Sequence, residues 1–174
     1  MPSYQAYVGH NPRKGTIGCY LSHLEAWRAF LRSDYEFALI AEDDIEFEPI
    51  ALKKSIKNVI QNPRLWDINL FDINHQGLPV AIKEFKNEGE TLNLYFVYID
   101  YASAYLINRN AAHQLLKKAL PIKMPVDHYF TRSWELGNLI LTGIEPRIVS
   151  QNKDSVQNSY RKSTDYIDGK SRFD

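Results

Sequence analysis

From Ile17 the apolar positions recur at helical spacing. Cys19 or Tyr20, Leu24, Trp27 and Leu31 share one face, which Leu21, Ala26 and Phe30 widen. The spacing predicts a helix ending near Asp34, with Trp27 as a core anchor. Phe37-Ala38-Leu39-Ile40-Ala41 is then an unbroken apolar run, the mark of a short strand buried on both faces. Glu42-Asp43-Asp44 follows it directly. Pro49 opens a predicted helix to Ile60 that turns Ile50, Leu52, Ile56, Val59 and Ile60 inward and Lys53, Lys54 and Lys57 outward; Asn62-Pro63 stops it. Residues 66–71 and 92–99 read as strands and 80–85 as a short edge strand, with a loop at 75–79 and a charged turn at 86–90 between them. Residues 104–107 form a further strand, and Asn108 is a good N-cap for a helix over 109–119. A helix over 124–136, with Gly137 at its C-cap, and strands at 139–141 and 146–149 complete the pattern. Residues 1–15 read as a turn-rich loop, and the chain from Ser150 as a polar, extended tail. Helices and strands alternate, so the expected class is α/β, with a mainly parallel or mixed sheet flanked by helices. One domain is expected over 1–150, with a tail over 151–174.

Composition narrows the partners. The 21 basic side chains balance 21 acidic ones, so no general field draws nucleic acid or an anionic surface. The 11 tyrosines suit faces that need both an apolar ring and a hydroxyl, such as a sugar or base site, though they suit a core rim equally. The single cysteine, Cys19, excludes an internal disulfide and reads as a small buried hydrophobe in a reducing compartment. No apolar run approaches a membrane span and the first residues have no signal-peptide character, so a cytoplasmic protein is expected.

Three places carry candidate chemistry. Glu42, Asp43 and Asp44 crowd the end of an apolar strand, where open α/β sheets place ligands. Three adjacent carboxylates repel one another, and a divalent cation with oxygen ligands relieves that repulsion and can hold a phosphate. The alternative is that they are solvated loop acids capping the next helix. Ser22 and His23 are helix neighbours whose side chains point apart, so they do not form a dyad; His23 is expected to bond a loop backbone or line a pocket. Asp127 stands at the first turn of a helix, either as a cap stabilised by the helix dipole or as a general base. No phosphate-binding glycine loop, HExxH zinc motif or Gly-x-Ser-x-Gly turn is present.

Taken in order, Gly18-Cys19-Tyr20-Leu21-Ser22-His23, Trp27, Glu42-Asp43-Asp44, Ala104-Tyr105-Leu106-Ile107 and Pro125-Val126-Asp127 resemble glycosyltransferase family 25. That family includes bacterial lipooligosaccharide galactosyltransferases and collagen galactosyltransferases. Each piece is weak alone; the ordered set, over roughly residues 15–159, is specific. The resemblance implies a GT-A-like fold and an inverting transfer of a hexose, galactose in the usual case, from a UDP-sugar to a lipooligosaccharide or other glycan. It implies Mn²⁺ or Mg²⁺ held by Asp43 and Asp44, with Glu42 beside them, and Asp127 as the base. Ser22 and His23 match the family's helix and are expected near the donor. A lipid-linked acceptor would add peripheral contact with the inner membrane. The chain departs from the pattern twice. The family's leading strand, which helps hold the nucleotide, has no counterpart in residues 1–15, so the fold is expected to be truncated there. The small pair before Ala-Tyr is replaced by Tyr101-Ala102. Two rival readings follow: a weak or inactive relative acting as a binding or assembly module, and a metal-dependent phosphate hydrolase that recruits Asp72.

Overall fold

The computed structural model describes residues 3–75, 80–85, 90–94 and 99–152. The expected loop at 76–79, turn at 86–89, middle of the third strand at 95–98 and tail from 153 lie outside the described residues. The first elements are a short helix α1 (Tyr4–Val8), which the turn-rich lead-in did not predict, and the long helix α2 (Lys14–Arg32). Strands β1 (Phe37–Ala41) and β2 (Ile45–Phe47) follow, then α3 (Pro49–Ile60), β3 (Ile68–Leu70) and β4 (Asn74–His75). Next come β5 (Val80–Phe85), β6 (Glu90–Leu94), β7 (Ile99–Asp100) and β8 (Ala104–Asn108). The chain continues through α4 (Arg109–Lys118), α5 (Val126–Thr131), a 3₁₀ turn (Ser133–Leu136), β9 (Leu141–Glu145) and β10 (Val149–Gln151). The helix expected over 124–136 is therefore two pieces, and the last two strands sit further along the chain than their apolar runs suggested.

Six strands form one mixed sheet in the order β1-β8-β3-β9-β6-β5. Among the described residues of this sheet, β3 and β9 pair in parallel and the other neighbours are antiparallel. This is the α/β class that the alternation implied, and it corrects one expectation. Strand β1 is an edge strand of this sheet, and Leu39 is 43% exposed, so the apolar run is not buried on both faces. Five apolar residues satisfy a half-covered edge as well as a central strand.

The side-chain alternation of β8 divides the core. Tyr105 and Ile107 face α2, α4 and α5 with Tyr20, Leu24, Trp27, Leu115 and Phe130. Ala104 and Leu106 face the other way, with Leu52 and Val59 of α3, Trp66 and Phe71. Helix α3 begins on Pro49, and the Glu48 carboxylate caps it by accepting from the Ile50 and Ala51 amides. Leu52 and Val59 are buried as expected, but Ile50 is 76% exposed because it lies in the first turn, beyond the sheet.

The order of β1, β8, β3 and β9 fixes where chemistry can collect. Strands β1, β3 and β9 run in one direction and β8 against them. The segments after β1, β3 and β9, and the segment before β8, therefore reach one edge. At the opposite end, Arg109 locks α2 to the sheet: its guanidinium donates to the carbonyls of Leu31, Ser33 and Tyr35 at 2.8–3.1 Å and lies over the Phe30 ring. Arg109→Met is expected to lose about 2 kcal/mol in urea unfolding. Arg109→Lys should recover less than half of that, because a single ammonium cannot span three carbonyls; an unchanged midpoint in either variant would contradict this role.

Candidate active site

Three strand ends and one strand start meet at that edge. Residues 42–44 leave β1, Asp72 lies two residues past β3, Arg147 two past β9, and Tyr101-Ala102-Ser103 lead into β8. The Glu42 amide donates to the Ser103 carbonyl at 2.8 Å, which continues the β1–β8 pairing one step beyond the strands and fixes the acid loop. A hollow of about 420 Å³ opens between this loop and α2, lined by Cys19, Ser22, His23, Ala26, Ile40, Ala41, Glu42, Asp43 and Asp44. The five residues expected at the donor and metal site, Ser22, His23, Glu42, Asp43 and Asp44, thus border one space.

The floor of the hollow is held by a buried polar chain. The Trp27 indole N–H donates to the Tyr105 hydroxyl at 2.9 Å, and that hydroxyl lies 2.7 Å from His23 Nδ1. His23 Nε2 faces Glu42 Oε1 at 3.7 Å. The proton arrangement that gives every group a partner puts the tyrosine proton toward Nδ1 and the imidazole proton on Nε2, toward the carboxylate. The Cys19 thiol points at the same Glu42 oxygen, 3.7 Å away, and Gln151 Nε2 donates to the other at 3.1 Å. His23, followed by Gln151 and Cys19, holds the Glu42 carboxyl below its ordinary range against the opposing effect of burial. Burial pushes the Cys19 thiol up to about 12, helped by the charges of Glu42, Asp127 and Asp44. Cys19 is therefore a thiol at neutral pH and no nucleophile.

The three acids have parted company. Glu42 turns back to α2, Asp43 is exposed at the rim, and Asp44 is half-buried. The Asp44 Oδ1 atom is buried with no hydrogen-bond partner. Burial, reinforced by the charges of Glu42, Asp43 and Asp72, raises the Asp44 carboxyl above its usual value. A bare buried carboxylate oxygen among like charges is a position that a cation relieves. The hard oxygen donors of Asp43 and Asp44 therefore fit a divalent ion such as Mg²⁺ or Mn²⁺. Asp72 does not join them. It accepts from the Ser103 hydroxyl and pairs with Arg147 at 2.6 Å, while its charge is felt at Asp44.

Asp127 lies in the first turn of α5 and is not among the residues lining the hollow. Its charge is nonetheless felt at Cys19, so it stands on the α2 side of the sheet. Asp127 Oδ1 accepts from the His128 amide at 2.9 Å and Oδ2 from the Tyr101 amide at 3.4 Å. The first contact takes up an amide of the helix's own first turn, although the N-cap residue, Pro125, has no side-chain cap bond; the second reaches across to the β8 lead-in. Tyr101 makes it from φ +85°, in the left-handed region where a tyrosine is uncommon and strained. Ser22 lies at the mouth, exposed, pointing away from His23 as adjacent helix positions do.

Two participants were invisible in the sequence. Gln151 and Asn152 belong to the stretch that reads as polar tail, but β10 pairs with β2 in a two-stranded ribbon. That pairing brings Gln151 onto Glu42 and sends the Asn152 amide to the Asp44 carbonyl at 2.7 Å. The only sequence signal is Val149 beside two polar residues, too short to read alone.

The chain matches the family model described as Glycosyltransferase family 25 (LPS biosynthesis protein) over residues 2–130. It is 34% identical over 119 residues to a "Glycosyltransferase 25 family member" of Aedes aegypti, covering 66% of this chain and 19% of that protein. It is 31% identical over 137 residues to "Procollagen galactosyltransferase 1" of Danio rerio, covering 74% of this chain and 22% of that one. A third relative, "Inactive glycosyltransferase 25 family member 3" of Mus musculus, is 28% identical over 134 residues, 74% of this chain and 22% of that protein. The chain spans about a fifth of the length of these curated relatives. With the motifs of α2 and the acid loop at one hollow and a family match over most of its length, this chain belongs to glycosyltransferase family 25.

Proposed function

We propose that the chain transfers a hexose, galactose by analogy with the zebrafish relative's name, from a UDP-sugar to a glycan acceptor such as a lipooligosaccharide, with inversion at the transferred carbon. The observation that carries this reading is the buried, unpartnered Asp44 Oδ1 at the edge of a hollow lined by the family's own residues. Asp43 and Asp44 would hold Mn²⁺ or Mg²⁺, which when bound neutralises charge on the departing diphosphate. Asp127 takes the proton from the acceptor hydroxyl. The new bond forms between that oxygen and the sugar's anomeric carbon, on the face opposite the bond to UDP, and that older bond breaks. The Tyr101 and His128 amides hold the Asp127 carboxylate in orientation. Ser22, His23 and Glu42 shape the donor pocket, with Glu42 fixed by the chain of hydrogen bonds behind it. A cytoplasmic site of action, peripheral to a membrane when the acceptor is lipid-linked, agrees with this chemistry. Among the described residues no helix is long and apolar enough to cross a membrane. A non-catalytic binding or assembly role is the second reading, favoured by the mouse relative named inactive.

Two measurements on Asp44→Asn test the assignment. UDP release from UDP-galactose with Mn²⁺ is expected to fall at least about a hundredfold, as when a main electrostatic stabiliser is removed. Release that survives would remove Asp44 from the metal, and none from the parent chain with any acceptor would favour the binding role. Thermal stability should move the other way. The folded-state value of Asp44 is raised, so the charged form costs stability at neutral pH, and the cost disappears as pH falls through the folded value. Asp44→Asn should therefore melt higher than the parent at pH 7 without divalent ions, with the gain shrinking in acid. Added Mn²⁺ should stabilise the parent and leave the variant unchanged; a lower melting point for the variant at pH 7 would contradict the crowding described for this loop.

A further inference from the structure

Cys19, His23 and Glu42 border the same hollow as the Asp43–Asp44 pair but differ from it in donor chemistry. The thiol sulfur, the imidazole Nε2 and a Glu42 oxygen all lie within 4.8 Å of one another. The Sγ–Oε1 and Nε2–Oε1 separations are both 3.7 Å. Two ligands bound to zinc at about 2.1 and 2.3 Å in a tetrahedral arrangement are roughly 3.4–3.6 Å apart. The two contacts to Glu42 are thus close to ligand spacing, and the sulfur and the imidazole nitrogen lie within 4.8 Å of each other.

We propose that Cys19 Sγ, His23 Nε2 and Glu42 form a binding site for a thiophilic divalent ion, Zn²⁺ above all, with the fourth position open to the hollow. Three features support it besides the spacing. The donor set is sulfur, nitrogen and one carboxylate, which selects zinc over the magnesium or manganese suited to two aspartates. His23 already has its second nitrogen tied to a buried partner, the Tyr105 hydroxyl at 2.7 Å, the outer support that metal-bound histidines need. When Nε2 gives its lone pair to a metal, Nδ1 carries the imidazole proton and the Tyr105 oxygen accepts from it as well as from the Trp27 indole. Finally, the side of the triad away from α2 is the hollow itself, leaving room for an entering ion and a water. Binding exchanges the thiol proton for the metal: the S–H bond breaks, a sulfur–zinc bond forms, and the proton leaves to solvent. An occupied triad holds Glu42 against α2 by a bond stronger than the hydrogen bonds that hold it now. The site is independent of the sugar-transfer reading, since it asks for no donor and no turnover.

Cobalt(II) titration of the metal-free chain gives the test, because Cys19 is the sole cysteine and any thiolate signal must come from it. The expected result is a near-ultraviolet sulfur-to-cobalt band with strong visible bands of a tetrahedral ion, saturating at one cobalt per chain and displaced by Zn²⁺. Cys19→Ser, shown to be folded by circular dichroism, should lose the near-ultraviolet band. Glu42→Gln should keep the band and weaken Zn²⁺ binding at least about tenfold in calorimetry. The proposal is overturned by a weak octahedral spectrum without the sulfur band, or by one ion per two chains. It is also overturned by a Zn²⁺ affinity that is unchanged in Glu42→Gln.

Discussion

A tyrosine hydroxyl placed in an apolar core costs stability unless a partner is waiting, and Tyr105 is fully buried at the centre of the larger cluster. Its oxygen is shared between Trp27 and His23, both on α2, while its own backbone lies in β8. One hydroxyl therefore ties the longest helix to a central strand, and the ring of His23 stacks on the tyrosine ring at 5.6 Å. The far nitrogen of the same imidazole faces Glu42. What begins as a condition for burying Tyr105 ends as the placement of a carboxylate at the mouth of the hollow. Packing and chemistry are the same set of contacts here, which is why the motif residues on α2, β8 and the acid loop lie far apart in the chain yet share a few ångströms of space.

The acid loop shows the opposite economy. Glu42 is held by three side chains and Asp72 by the Ser103 hydroxyl and an ion pair with Arg147, while Asp44 keeps a buried oxygen with neither hydrogen bond nor ion pair. A fold that satisfies two of these carboxylates and leaves the third crowded stores an unfavourable charge where a ligand can relieve it. The soft triad of Cys19, His23 and Glu42 and the hard pair of Asp43 and Asp44 then divide the hollow by chemistry: the first suits sulfur-loving ions, the second suits an ion that bridges phosphate oxygens.

Much of the fold was legible because it rests on local rules. The stripe through Tyr20, Leu24 and Trp27 gave α2, Glu42 to Asp44 marked a strand end, and Asn108 capped α4 by accepting from the Ala111 amide. What stayed hidden depends on partners distant in sequence. His23 lies within the buried stripe of α2, but its partner Tyr105 is 82 residues away, and neither residue announces the other. The edge position of β1 depends on which strands pair, and five apolar residues are silent on that. Gln151 reads as tail because nothing local shows that β10 will find β2. Asp127 was open between cap and base, and its geometry contains a cap bond to His128 together with a contact to Tyr101 that no cap needs. The ordered motifs made the family readable where spacing alone did not.

The central claim is that a continuous buried chain from Trp27 through Tyr105 and His23 sets the position of Glu42. A double-mutant cycle between Tyr105→Phe and Glu42→Gln, measured by equilibrium urea unfolding at neutral pH, tests it most directly. No hydrogen bond joins the two side chains, and His23 stands between them. A coupling free energy of at least about 0.5 kcal/mol is predicted; additivity within about 0.3 kcal/mol would mean the two residues act independently and the chain is not a unit.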